Sequence, residues 1–294
     1  MAETYPIVIH PDGWRTVQPK PSAEALKAFY ADEYYQQSHG AYAQAYTDQE
    51  LVHRDLLARL MLTAIAQASG EPGKDLLEIG AGEGWFLKAA DAAGYNVRGL
   101  DFSADGMSRN NPAFLDRLTT GDAFENLDAL IAAGSAADVC VMEHVLEHVV
   151  DPEGLLERLP RVLNPGGVVA ITVPNDFSPI QLMARETGAV PRDFWLAPPQ
   201  HLNYFSAESL VRLIERKGFA VRLAFASFPI DWYLMHPGSN YVADGSAGKP
   251  AHRARMAIDL MLAEQGLDKW LELSRALFAC GAGRSLTVIA APRG

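Results

Sequence analysis

The stretch Leu76-Leu77-Glu78-Ile79-Gly80-Ala81-Gly82-Glu83-Gly84-Trp85 limits what this chain can fold into more than any other. Residues 75–79 form a short apolar run ahead of the glycines, which predicts a buried strand. Glycine then recurs at every second position, and residues 84–94 carry a helical pattern that stops at Gly94. A strand that ends in a glycine-rich turn and enters a helix makes a crevice for a nucleotide-like ligand, because backbone without Cβ atoms lets the ligand come close. The dinucleotide fingerprint needs G-x-G-x-x-G, and here the third glycine comes one position early. A carboxylate, Glu78, stands two residues before the first glycine, and Glu83 inside the turn would repel a pyrophosphate. The spacing therefore disfavours NAD.

Downstream the chain alternates between two hydrophobic periods. Residues 96–102, 118–122, 137–145, 167–175, 220–227 and 285–292 read as further strands. Helices fit between them at 103–110, from Asp151-Pro152 onward, and at 206–219. Such alternation predicts an α/β fold, a doubly wound and mostly parallel sheet of seven strands with helices on both faces. Two segments break the pattern, 176–203 and 228–284, and the second reads as a helical insert of two helices before the last strand. Long inserts in compact domains are usually lids or binding elements. Ahead of the sheet, residues 1–21 read as an irregular arm, a helix is expected from Ser22, and Thr47 with Glu50 has capping-box spacing for a long helix ending near Gly70. The expected organisation is an N-terminal unit, 1–70, covering the site, and a core, 71–294, with 176–203 and 228–284 as substrate lids.

Charge narrows the partners. The chain has 36 acidic against 25 basic residues, a net charge of −11, which argues against nucleic acid as a partner. Two cysteines, Cys140 and Cys280, have no metal-type spacing and point to a reducing compartment, the cytoplasm. The first residues lack the pattern of a signal peptide, and no run of 18 apolar residues spans a membrane. Oligomeric state is not legible.

The acidic-x-Gly-x-Gly-x-Gly pattern of Glu78, Gly80, Gly82 and Gly84 resembles motif I of the class I S-adenosylmethionine-dependent methyltransferases. Asp101, 21 residues after Gly80, ends the second strand, where an acid can accept both hydroxyls of a ribose. The resemblance extends through residues 121–125, 139–152 and 162–171, in the family's order. It implies the Rossmann-like methyltransferase fold and S-adenosyl-L-methionine as cofactor. It assigns Glu78, Gly80, Ala81, Gly82 and Gly84 to the cofactor's amino-acid end and Asp101 with Phe102 to its ribose and adenine. Asp122 and the Ala123 backbone go to the adenine edge, and Glu143 and His144 to the floor beneath the methyl group. Phe124 is a second aromatic placed to pack on the adenine.

His144, Glu147 and His148 also spell H-x-x-E-H, an inverted zinc-protease motif. That motif needs both histidines on one face of a long helix, whereas these begin at a strand end and Asp151-Pro152 starts a new helix. No metal is expected. His201, in Pro198-Pro199-Gln200-His201 ahead of a helix cap, faces the substrate in similar enzymes and is a base candidate beside His144. The implied reaction is methyl transfer to oxygen or nitrogen, in preference to carbon, of a small-molecule acceptor such as a sugar or natural-product intermediate. An NAD-linked oxidoreductase and a non-catalytic cofactor-binding protein on the same fold are the competing classes. Tyr30, Tyr34, Tyr35, Tyr42 and Tyr46 are placed to cover cofactor or substrate.

Overall fold

The computed structural model describes residues 5–22, 46–70 and 73–293. The expected helix from Ser22 and Tyr30, Tyr34, Tyr35 and Tyr42 lie outside the described residues. The first described elements correct the reading of the arm. β1 (Ile7–Ile9) and β2 (Arg15–Val17) pair antiparallel, joined by a turn in which Gly13 takes a φ of 96°. Three-residue strands are too short to show a period, so the hairpin was visible only in its Pro11-Asp12-Gly13 turn.

α1 (Asp48–Ser69) has the expected capping box, with Thr47 and Glu50 bonding each other's backbone N–H. Its Leu56, Leu60, Met61, Ala64 and Ile65 recur at helical spacing and bury against the sheet. β3 (Asp75–Ile79) leads through the glycine turn into α2 (Trp85–Ala92). β4 (Asn96–Asp101), α3 (Asp105–Asn110) and a short β5 (Leu118–Thr120) follow. α4 (Ala123–Ala132), which the sequence reading did not resolve, is capped by Asp122, and β6 (Ala137–Glu143) is continuously apolar. α5 (Pro152–Arg158) begins at the expected Asp151 cap, and β7 (Leu163–Pro174) begins four residues earlier than expected. The first insert contains α6 (Pro179–Glu186) and β8 (Asn203–Tyr204). α7 (Ala207–Arg216), β9 (Phe219–Ala226), α8 (Gly248–Glu264), α9 (Leu267–Ala279) and β10 (Ser285–Pro292) complete the chain.

The seven-stranded sheet runs β5-β4-β3-β6-β7-β10-β9, and only β10 is antiparallel to its neighbours. From β3 the chain winds outward through β4 and β5, then returns to place β6 on β3's other side. That reversal is a topological switch point, which leaves a crevice at the carboxyl ends of β3 and β6. Register puts Glu78 beside Gly99 of β4 and Val141 of β6, and Glu143 beside Thr172 of β7. β8 joins β1 and β2 in a separate three-stranded sheet, fastened by Thr16 Oγ1 donating to the Leu202 carbonyl at 3.0 Å.

The second insert holds two helices, as expected. α8 and α9 pack on α1 and β9, burying Met256, Trp270 and Leu271, and none of residues 228–284 lines the crevice. α8 meets α1, and α9 meets both α1 and β9. His53 of α1 and Asp259 of α8 bond through the interface at 2.8 Å, both buried. No helix among the described residues is long and apolar enough to cross a membrane.

Candidate active site

The crevice is a cleft of about 1240 Å³. Glu78, Gly80, Ala81, Gly82, Asp101, Phe102, Asp122, Ala123, Glu143, His144 and His201 all line it. Gly84 does not. It precedes α2 in a left-handed conformation (φ 76°), and an added Cβ would stand 3.1 Å from Met107, so its role is the turn and its packing.

The turn is tied to the neighbouring strand. The N–H groups of Gly80 and Ala81 both donate to the Leu100 carbonyl, at 2.7 and 3.0 Å. Gly80 has a φ of 79°, and a Cβ there would lie 2.3 Å from Val145 Cγ2. Asp101 links the two strand tips, accepting from Gly82 N–H at 2.8 Å and from Ser103 N–H at 3.0 Å. Burial raises its carboxyl above the usual range, partly offset by these bonds. The Ser103 hydroxyl accepts from Asp105 N–H ahead of α3.

Glu78 is buried, and its Oε2 has no hydrogen-bond partner among the described residues. Burial, with Glu143 and Asp101 nearby, pushes its carboxyl well above the ordinary range. A buried acceptor oxygen left without a donor costs roughly 1–3 kcal/mol. A cationic ligand group in the cleft would satisfy it. Together with glycine turn and Asp101, this orphaned oxygen fits S-adenosylmethionine, which presents an ammonium, a sulfonium and a ribose diol. Asp122 Oδ1 caps α4 by accepting from Phe124 and Glu125 N–H. Phe102 is 39% exposed at the same end, and Phe124 lies under the Arg158 guanidinium.

Glu83, read from sequence only as a bar to pyrophosphate, anchors the other wall. Trp85 Nε1 and Asn110 Nδ2 donate to it at 2.9 and 3.0 Å, Tyr46 OH donates to it, and Arg54 lies 3.6 Å away. It thus draws the start of α1 onto the glycine turn. Nothing in the local sequence announces these partners, which come from three separate helices or their flanks.

The floor beyond β6 is a histidine cluster. His144 ends the strand early, with a φ of 56° held by its N–H donating to the Thr172 carbonyl at 2.9 Å. A non-glycine residue in this region marks strain that the surroundings maintain. Its ring is nearly half exposed to the cleft (47%), and Nδ1 lies 3.1 Å from Glu147 Oε1. The cleft wall's burial alone would lower its pKa, but the Glu147 bond and the charges of Glu147 and Glu143 outweigh this and raise it. Burial raises the carboxyl of Glu143. Glu147 is itself fully buried. Desolvation opposes its charge, yet His144, His148 and His201 hold it below the usual carboxylate range. Sequence reading passed over Glu147, although H-x-x-E-H contained it.

His201 lies behind this pair, its ring edge-on to His148 at 4.8 Å. Burial and the neighbouring His148 depress its pKa to about 4. Protonation below the ordinary value of 6.5 therefore favours the unfolded chain, so stability should fall as pH drops from about 6.5 to about 4. At about 1.4 kcal/mol per unit the loss is at most about 3.5 kcal/mol. Urea unfolding at pH 7 and 4.5 should show His201→Gln to be less acid-sensitive than the parent; equal sensitivity would contradict the depressed value.

Sheet order, switch-point cleft and strand-tip carboxylates together define the fold of class I S-adenosylmethionine-dependent methyltransferases. A family model described as a methyltransferase domain matches residues 49–224, and the chain belongs to that family. By family it carries a methyltransferase domain, and its fold is the one seen in an S-adenosylmethionine-dependent methyltransferase of known structure. An uncharacterized methyltransferase of Mycobacterium tuberculosis is 34% identical over 100 residues, 34% of this chain and 39% of the relative. A ubiquinone biosynthesis O-methyltransferase of Cupriavidus pinatubonensis is 33% identical over 131 residues, 42% of this chain and 51% of the relative. These matches span about half or less of the relatives' length. A S-adenosylmethionine-dependent methyltransferase from Archaeoglobus fulgidus shares the fold with a TM-score of 0.51 at 22% identity, over 81% of this chain and 93% of that one.

Proposed function

We propose that the protein transfers the methyl group of S-adenosylmethionine to a hydroxyl or amine of a small molecule, with His144 as general base and Glu147 as its positioning partner. The observation that carries this reading is the His144–Glu147 pair at the floor of the cleft that Glu78, Gly80 and Asp101 line. The cofactor supplies an electrophilic methyl on a sulfonium. The chain's part is to align the acceptor, exclude water and take a proton.

Glu147 fixes the ring of His144 through Nδ1, which leaves Nε2 as the nitrogen that can receive the acceptor's proton. The same carboxylate stabilises the imidazolium that results. His201 is less suited to this role, because a group with a pKa near 4 is a weak base at neutral pH. Its side chain, with Gln200, closes the side of the cleft and comes from the first insert, which supports a role for 176–203 in acceptor choice. The N-terminal unit supports the cofactor wall through Tyr46 and Arg54 on Glu83. The Cupriavidus relative's O-methyl chemistry is consistent with an oxygen acceptor.

The cofactor half of this reading is tested at Gly80. Alanine there should cost about 2–4 kcal/mol, combining a left-handed residue with overpacking on Val145. Calorimetry should show S-adenosylhomocysteine affinity reduced at least about tenfold, since the relief must come from moving the turn that contacts the ligand. Unchanged affinity and stability would remove the turn from the site. The acceptor half is tested by screening hydroxyl- and amine-bearing small molecules for S-adenosylhomocysteine release. NADH stabilising the fold where S-adenosylhomocysteine does not would instead favour an oxidoreductase.

A further inference from the structure

Below the proposed base, three potential ligand groups converge. One carboxylate oxygen of Glu147 and one ring nitrogen each from His148 and His201 lie within 4.8 Å of one another. Glu147 is 1% exposed at its side chain, and its Oε2 is buried with no hydrogen-bond partner among the described residues. His201 Nδ1 is likewise buried and without one. Buried polar atoms without a hydrogen-bond partner are costly in a protein interior. His148 Nδ1 lies 2.7 Å from the Gln200 carbonyl, so Nδ1 carries the proton and Nε2 is the ring's electron-pair donor. Nε2 is 3.9 Å from Glu147 Oε1. A carbonyl fixing the tautomer of a histidine in this way is the usual second contact of a metal-ligating imidazole.

We propose that Glu147, His148 and His201 bind a divalent transition metal ion, zinc being the best match, at the floor of the cleft. Two imidazoles and one carboxylate form a ligand set used by catalytic zinc sites, which keep a further position open. All three residues line the cleft, so an open position faces it. Metal–ligand distances near 2.0–2.2 Å bring donor atoms to about 3.4 Å of one another, so the three side chains draw in by about an ångström on binding. His144 stays outside the set because its Nδ1 is engaged by Glu147 Oε1. The H-x-x-E-H motif thus supplies its glutamate and second histidine, while the third ligand comes from a loop 53 residues farther on. An acceptor oxygen on the open position would be acidified beside His144. That last role rests on the methyl-transfer reading; the binding of the ion does not.

The test uses the full chain, stripped with EDTA and titrated with Co²⁺ as a spectroscopic probe and Zn²⁺ as competitor. The expected result is one equivalent of Co²⁺ with the visible absorption of a four- or five-coordinate nitrogen/oxygen site, displaced by Zn²⁺. His201→Gln and Glu147→Gln should each weaken Co²⁺ binding at least about tenfold. S-adenosylhomocysteine affinity is measured on the same samples, and its retention in His201→Gln shows that the variant is folded. Absence of saturable Co²⁺ binding in the parent, or equal affinity in parent and both variants, overturns the site. Loss of S-adenosylhomocysteine binding by the parent while Co²⁺ still binds overturns the cofactor reading instead.

Discussion

Asp101→Ala is expected to weaken S-adenosylhomocysteine binding by about 100-fold or more, measured by isothermal titration calorimetry. The carboxylate sits at the tip of β4 facing the cleft, with one oxygen toward Gly82 N–H and the other toward Ser103 N–H. Hydrogen bonds to a charged group contribute about 1.5–3 kcal/mol each, so losing the two proposed for a ribose would remove roughly 3–6 kcal/mol. At 1.4 kcal/mol per tenfold, even the lower figure is about 100-fold. Alanine also leaves two backbone N–H groups without their acceptor, which loosens the glycine turn. Asp101→Asn separates these effects, because its amide oxygen can keep one of them. The asparagine variant should fold with near-parental stability and still bind at least about tenfold more weakly. Parental affinity in both variants would place the ribose elsewhere.

The second large effect is kinetic. Once an acceptor is in hand, His144→Gln should lower kcat by about 10² to 10⁴ while leaving S-adenosylhomocysteine affinity within a few-fold, the range that removal of a general base produces. The pH profile adds a sharper readout. A base works in its neutral form, and the Glu147 bond and surrounding carboxylates raise the pKa of His144 above 6.5. The rate should therefore fall with decreasing pH along a limb lying above 6.5. Glu147→Gln removes the negative partner, so the limb should move to lower pH even as the maximal rate drops. A limb that stays in place, or a fully active His144→Gln, would show that proton transfer goes to another group.

The asymmetry between these histidines could not be read from residue order. His144 and His201 both lie near turns, and sequence alone names both as candidate bases. Packing separates them: one ring faces the cleft with a carboxylate behind it, the other is sealed beside His148 and loses its proton affinity. Glu147 and Glu83 were missed for the same reason. Each acquires its meaning from partners brought in by other elements, such as Asn110 for Glu83 and the Leu202 and Asn203 N–H groups that grip the Glu147 backbone.

The sequence by itself determined the sheet, the glycine turn and the two strand-tip acids. These are local: apolar runs of fixed length form strands, left-handed turns demand glycine, and a residue ending a parallel strand at the switch point must face the crevice. Only the tertiary structure decided that Gly84 packs against Met107, that helices of residues 228–284 brace α1, and that His144, Glu147, His148 and His201 share one floor. Those outcomes depend on contacts between distant segments and on how burial reprices each charge, and neither quantity is written in the spacing of residues along a chain.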